Sequence, residues 1–112
     1  MDDRLDTWTE LTGDELLKLL EALSNPHRLR IVAALSAGRN YVSQLARELS
    51  MSRPLLHLHL QKLESAGLVT SELELSADGK AMRFYRVLPF AIALTPEAIT
   101  AATDTLSTKK EH

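Results

Sequence analysis

The sequence has no cysteine, and that one absence removes disulfides, thiolate metal centres and thiol catalysis together. No segment approaches the roughly 18 consecutive apolar residues of a membrane span. The start, MDDRLDTW, is acidic and lacks an apolar h-region, so it does not read as a signal peptide. The four glycines form no phosphate-cradling loop, and neither His-Glu-x-x-His nor Gly-x-Ser-x-Gly occurs. Carboxylate neighbours such as Asp2-Asp3 and Glu72/Glu74 read as solvated surface. The expectation is a cytoplasmic protein that is not an enzyme and does not enter a membrane.

What is present fits one domain: 112 residues, 45% hydrophobic and 25% charged. A net charge of −2 argues at first against nucleic acid. Its distribution argues the other way. Met1 to Leu23 holds two basic and seven acidic residues, whereas Ser24 to Gly67 holds six basic and two acidic. A basic middle behind an acidic start is the asymmetry expected when one surface meets phosphates.

That middle is organised around residues 43–69. Val42, Leu45 and Leu49 recur on one stripe of a short helix. Ser50-Met51-Ser52 breaks the period, Ser52 is a good N-cap, and Pro54 suits the first turn of a second helix that runs to Ala66 and stops at Gly67. Two helices joined this tightly read as a helix-turn-helix over 43–66. At about 100° per residue, Leu56, Leu60 and Leu63 mark the buried face of the second helix. Arg53, His57 and Gln61 lie opposite, with Pro54 beside them, a set suited to base edges and phosphates of a major groove. The competing reading is an ordinary solvated face. His59 falls on the buried side as a core histidine, about 160° from His57, so the two cannot share a metal ion.

Upstream, Thr12-Gly13-Asp14-Glu15 is a capping-box signature. The helix it opens carries Leu16, Leu17, Leu19, Leu20 and Leu23 over about 160°, too wide for one side of a small core. Trp8 is expected to anchor the N-terminal arm. Asn25-Pro26 starts the next helix, whose inner face is expected to be Leu29, Val32 and Leu35, with Gly38 ending it; a short extended link follows. Downstream, residues 68–87 alternate around an Asp78-Gly79 turn and read as a hairpin wing. Leu73, Leu75, Met82 and Phe84 are expected inward and Arg83 and Tyr85 outward, with Lys80, Arg83 and Arg86 supplying positive charge. Thr95-Pro96-Glu97 opens a final helix over 95–106 whose apolar side, Ala98, Ile99, Ala101, Ala102 and Leu106, is small enough for close helix packing. The tail from Ser107 is expected to fray.

In this order the elements resemble the ArsR/SmtB family of winged-helix transcriptional regulators. The resemblance rests on ALSNPHRLRIVAAL (22–35), QLARELSMSRP (44–54) and HLQKLESAGLV (59–69), followed by a hairpin with the aromatic pair Phe84-Tyr85. It implies a mainly α fold with a β-hairpin wing, dimerising through the first and last helices. Leu16, Leu19, Leu20, Leu23, Ala98, Ile99, Ala102 and Leu106 would form that interface. It implies a regulator of the repressor kind that binds a pseudo-palindromic double-stranded DNA as a homodimer. Ser43, Gln44, Ser52, Arg53, Pro54, His57, Gln61, Lys80 and Arg83 would contact the DNA. The alternative is a winged-helix module that docks a protein and never meets DNA. The chain also departs from the family. Where members often carry Ser-His in the recognition helix it has His57-Leu58. Residues 43–49 offer no cysteine, and the last helix offers only Glu97 and Asp104. The family's sensor sites are therefore not visible, and a transition metal on histidine and carboxylate ligands, drawn from His27, carboxylates or His112, stays open.

Overall fold

The computed structural model describes residues 11–107. The expectations placed on Trp8, on His112 and on the tail beyond Ser107 lie outside those residues. The described chain folds as α1 (Gly13–Leu23), α2 (Pro26–Ser36), β1 (Asn40–Tyr41), α3 (Val42–Leu49), α4 (Arg53–Ser65), β2 (Val69–Leu75), β3 (Ala81–Val87) and α5 (Pro96–Thr103). The strands form one antiparallel sheet in the order β1-β3-β2. Four of the five helices begin at a side-chain cap, and α3, which follows Tyr41, has none. Thr12 and Glu15 complete the reciprocal capping box on α1, and Asn25 Oδ1 accepts from the His27 and Arg28 N–H groups ahead of α2. Ser52 and Thr95 cap α4 and α5 through their hydroxyls.

Eight side chains are almost wholly buried: Ile31, Leu35, Leu45, Leu56, Leu60, Leu63, Leu68 and Val69. They sit where α2, α3 and α4 meet the base of the sheet. Burying each large aliphatic side chain contributes about 1.5–3 kcal/mol, so Leu56, Leu60 and Leu63 fix which way α4 turns its other face.

Three expectations need correction. The inner face of α2 is Arg28, Ile31 and Leu35, while Leu29 is 53% exposed. Arg28, Ile31 and Leu35 stand at i, i+3 and i+7, a helical stripe. A leading arginine concealed it. In the wing, Tyr85 is buried rather than outward. The register pairs Ser71 with Tyr85 and Leu73 with Arg83, so Leu73, Arg83 and Tyr85 share one face. Leu73 and Arg83 could not point opposite ways. Leu73 and Leu75 do lie on the face that packs near the base, but they extend past the body and are exposed, Leu75 to 75%. Finally, α5 ends at Thr103, three residues before the expected Leu106.

The first and last helices pack on each other within the chain. Gly13 is the contact point: its N–H donates to Thr105 Oγ1 at 2.6 Å, and Ser107 N–H donates to Asp14 Oδ1 at 3.1 Å. Hydrogen bonding from Ser107, through its side chain first and this N–H second, holds the Asp14 carboxyl below its ordinary range.

Candidate nucleic-acid interface

The turn between α3 and α4 is set by Ser50, which adopts φ 53°, ψ 49° in the left-handed region where non-glycine residues are uncommon. The Met51 N–H then closes back on Ala46 O at 2.9 Å. Ser52 Oγ accepts from Leu55 N–H at 3.3 Å, and Pro54 sits in the first turn without interrupting any helical bond. The chain direction so fixed puts Leu56, His59, Leu60 and Leu63 against the core.

Arg53, Pro54, His57 and Gln61 are consequently exposed together on the outer face of α4. Among the described residues, none of these side chains makes an internal hydrogen bond or ion pair, so the donors of Arg53, His57 and Gln61 remain available to a ligand. Sequence reasoning missed the width of this face. Leu58, 59% exposed, and Lys62 extend it toward α1; counting positions outward from the buried leucines would have found both.

The other expected contact residues are placed less uniformly. Ser43 and Gln44 on α3 are half-buried. Gln44 Nε2 donates to Glu48 Oε2 at 3.0 Å, and the same carboxylate accepts from Asn40 Nδ2 at 3.3 Å. Gln44 is thus held on its own helix with its carbonyl oxygen left over. Ser52 already uses its oxygen in the cap but keeps its hydroxyl proton to donate. Lys80 is exposed in the β2–β3 turn. There Asp78 accepts from Ser76 Oγ, which in turn accepts from the Lys80 N–H at 3.1 Å. Arg83 is exposed on β3 and donates from Nη1 to Ser71 Oγ at 3.0 Å, which steadies it across the wing.

Arg39, counted in the basic middle of the sequence, is engaged elsewhere. Its guanidinium makes a two-pronged pair with Glu74, lies 3.6 Å from Glu72, and sits 4.3 Å above the Phe84 ring. Phe84 packs edge-on against Tyr41 of β1. Arg39 therefore ties the loop after α2 to the wing, and the pair holds the Glu74 carboxyl below its ordinary value.

Behind α4 lies a polar contact that the sequence reading did not foresee. Arg28, buried, donates from Nε to Ala22 O at 2.6 Å and from Nη2 to Glu21 O at 3.4 Å, covering the last carbonyls of α1. Its Nη1 stands 3.0 Å from His59 Nδ1. A guanidinium can only donate, so Nδ1 accepts and the His59 ring is neutral, with its proton on Nε2. Burial first, then the charges of Arg28, His27 and Lys62, push His59 below its ordinary pKa. The His27 ring stands 5.2 Å away, centroid to centroid. These two rings do not fit a metal. Among the described residues no group of three histidine or carboxylate ligands assembles, and the Arg28 guanidinium at Nδ1 opposes a cation.

An exposed donor-rich helix backed by a leucine stripe, preceded by a tight turn and flanked by a three-stranded wing, defines a winged helix-turn-helix. The comparisons agree. Residues 25–71 match the family described as bacterial regulatory protein, arsR family. The chain is 40% identical over 85 residues to an HTH-type transcriptional regulator of Methanocaldococcus jannaschii, covering 76% of this chain and 88% of that protein. It is 36% identical to the HTH-type transcriptional regulator CmtR of Mycobacterium tuberculosis over 67% of its own length, and spans 60% of CmtR. Among solved structures it is similar to the homodimeric winged helix-turn-helix DNA-binding domain Mb0332 of Mycobacterium bovis. That match has a TM-score of 0.56 and 28% identity, and covers 78% of this chain and 72% of the other. The chain belongs to the ArsR family of transcriptional regulators.

Proposed function

We propose that this protein is a cytoplasmic, sequence-specific regulator of transcription that binds double-stranded DNA as a homodimer, with α4 as the reader and the wing as a positioning arm. The carrying observation is the exposed row Arg53–His57–Gln61, without side-chain partners among the described residues and aimed outward by the buried Leu56, Leu60 and Leu63. Arginine and glutamine are the side chains whose geometry suits guanine and adenine edges in the major groove. Lys80 and Arg83 carry no such code and suit phosphates. Occupying an operator by such a dimer obstructs other proteins there, which makes repression the expected sign.

The dimer reading is supported by the outer side of the α1–α5 pair. Leu16, Leu19 and Ala102 are buried within the chain and Leu23 and Ala98 are half-buried, but Leu20, Ile99 and Leu106 remain exposed. With Leu17 they rim an almost wholly apolar groove of about 200 Å³. The related Mycobacterium bovis domain is homodimeric, and a second copy placed on this face would cover the groove. A two-fold dimer presents two copies of α4 to half-sites about one helical turn apart, roughly 34 Å.

The test is selection of bound fragments from genomic DNA followed by footprinting. A protected pseudo-palindrome with half-sites about 10 base pairs apart, centre to centre, is expected. Retention of no duplex above a scrambled control at any salt concentration would instead favour the protein-docking reading, to which the exposed Leu58 lends itself.

A further inference from the structure

We infer that the groove between α1 and α4 is a seat for a phosphate-like oxyanion, built from Lys18, Arg28 and Lys62 with Gln61 at its edge. The groove has a volume of about 480 Å³ and is lined by Lys18, Glu21, Arg28, Leu58, Gln61 and Lys62, among others. Three cations thus face one carboxylate. Among the described residues the ion pairs are those of Arg39, so neither the lysines nor Arg28 is neutralised by an acid within 4 Å there. Arg28 matters most. It is buried to about nine-tenths, and its hydrogen bonds go to two carbonyl oxygens and a neutral ring nitrogen, none of which cancels its charge. A guanidinium has five N–H donors, and those three bonds leave donors over at the groove.

The α1 carbonyls, at the negative end of that helix, offset part of the cost of burying this charge, and an anion in the groove would offset more of it. Lys18 and Lys62 stand exposed at the lips, where long side chains can close over a tetrahedral anion. Gln61 and Leu58 belong both to this groove and to the outer face of α4. A strand of DNA whose base edges meet Gln61 therefore carries its backbone past the groove mouth. The occupant favoured by that continuity is a backbone phosphate, a point that rests on the DNA-binding reading above; a free small anion offers the same chemistry.

Two arms separate these sources, using the full chain and the K18Q/K62Q variant, whose substituted residues are exposed and leave the core intact. In the first arm, binding to the selected duplex and to a scrambled one is measured across salt. Each phosphate contact accounts for about 0.9 in the slope of log K against log salt, or about 3.5-fold between 50 and 200 mM. The double variant should lose close to two from the slope on both duplexes. In the second arm, inorganic phosphate is titrated into the free protein while the Gln61 side-chain amide is followed by NMR. A saturable shift that the double variant abolishes, with an unchanged salt slope, supports the seat with a free anion as its occupant. An unchanged slope together with no saturable shift overturns the inference. If the wild-type chain binds no duplex at all, it is the DNA reading that fails, and the phosphate titration alone judges the seat.

Discussion

Gly13→Ala should be destabilising even though alanine is the better helix former. A methyl built on Gly13 lies well inside contact distance of the Ala102 carbonyl oxygen and 2.7 Å from Leu106 Cδ2 and Cγ. The carbonyl belongs to the α5 backbone and cannot turn aside, so α5 must move off α1. Overpacking of this kind costs about 1–3 kcal/mol. Separating the helices also strains the bond from Gly13 N–H to Thr105 Oγ1, worth about 0.5–1.5 kcal/mol. The gain from replacing a helical glycine is at most about 1 kcal/mol. The net expectation is a loss of about 1–3 kcal/mol, which lowers Tm by at least several degrees in a domain of this size. Because the same two helices rim the proposed dimer groove, the variant should also dissociate at higher protein concentration than wild type. Calorimetry and sedimentation equilibrium read the two effects separately. A variant as stable as wild type, with an unchanged dimer constant, would mean that α5 does not press on Gly13 as closely as this.

Three further outcomes follow from the geometry. His59 is held neutral in the fold and its pKa lies below the ordinary 6.5, so the unfolded chain takes up a proton first as pH falls. The stability it supports is complete above about pH 6.5 and declines below it toward the folded pKa; His59→Gln, which keeps an acceptor for Arg28, should flatten that part of a denaturant-midpoint profile, and an unaltered profile would contradict the assignment. Leu20→Glu places a charge on the exposed rim of the α1–α5 groove and should give a folded monomer by sedimentation, whereas a dimer of wild-type strength would move the interface elsewhere. Arg39→Ala should loosen the wing, raising hydrogen exchange in β2 and β3 while leaving the salt slope of DNA binding unchanged, because Arg39 is committed to Glu72, Glu74 and Phe84; a slope reduced by one would make it a phosphate contact instead.

Much of this architecture was legible in the sequence because its signals are local. Caps at Thr12, Asn25, Ser52 and Thr95 locate four helix starts, and the spacing of Leu56, Leu60 and Leu63 orients the reading helix without tertiary information. What stayed hidden depends on contacts between distant segments. The burial of Arg28, one of the six basic residues counted in 24–67, is one such case, because nothing nearby in sequence shows that α1 ends its carbonyls beside it or that His59, 31 positions on, offers a ring nitrogen. Leu29 resembles core by residue type, although the stripe through Ile31 and Leu35 leaves it outside. Alternation gives each wing strand its two faces but not which face of one matches which face of the other; that depends on the register, which sets Leu73 against Arg83. Arg39 was indistinguishable from a DNA-facing cation until its partners on β2 were in place.

If α4 reads bases while the wing holds the backbone, the two groups of residues respond differently in a matrix of variants and duplexes. Affinities of Arg53→Ala, Gln61→Ala, Lys80→Ala and Arg83→Ala would be measured on the selected duplex and on a scrambled one at several salt concentrations. Arg53→Ala and Gln61→Ala should lose about 1–3 kcal/mol on the selected duplex and much less on the scrambled one, narrowing the ratio between them. Lys80→Ala and Arg83→Ala should weaken both duplexes alike and lower the salt slope by about one each. If the Arg53 and Gln61 variants lose affinity in equal proportion on both duplexes, α4 is not the reader.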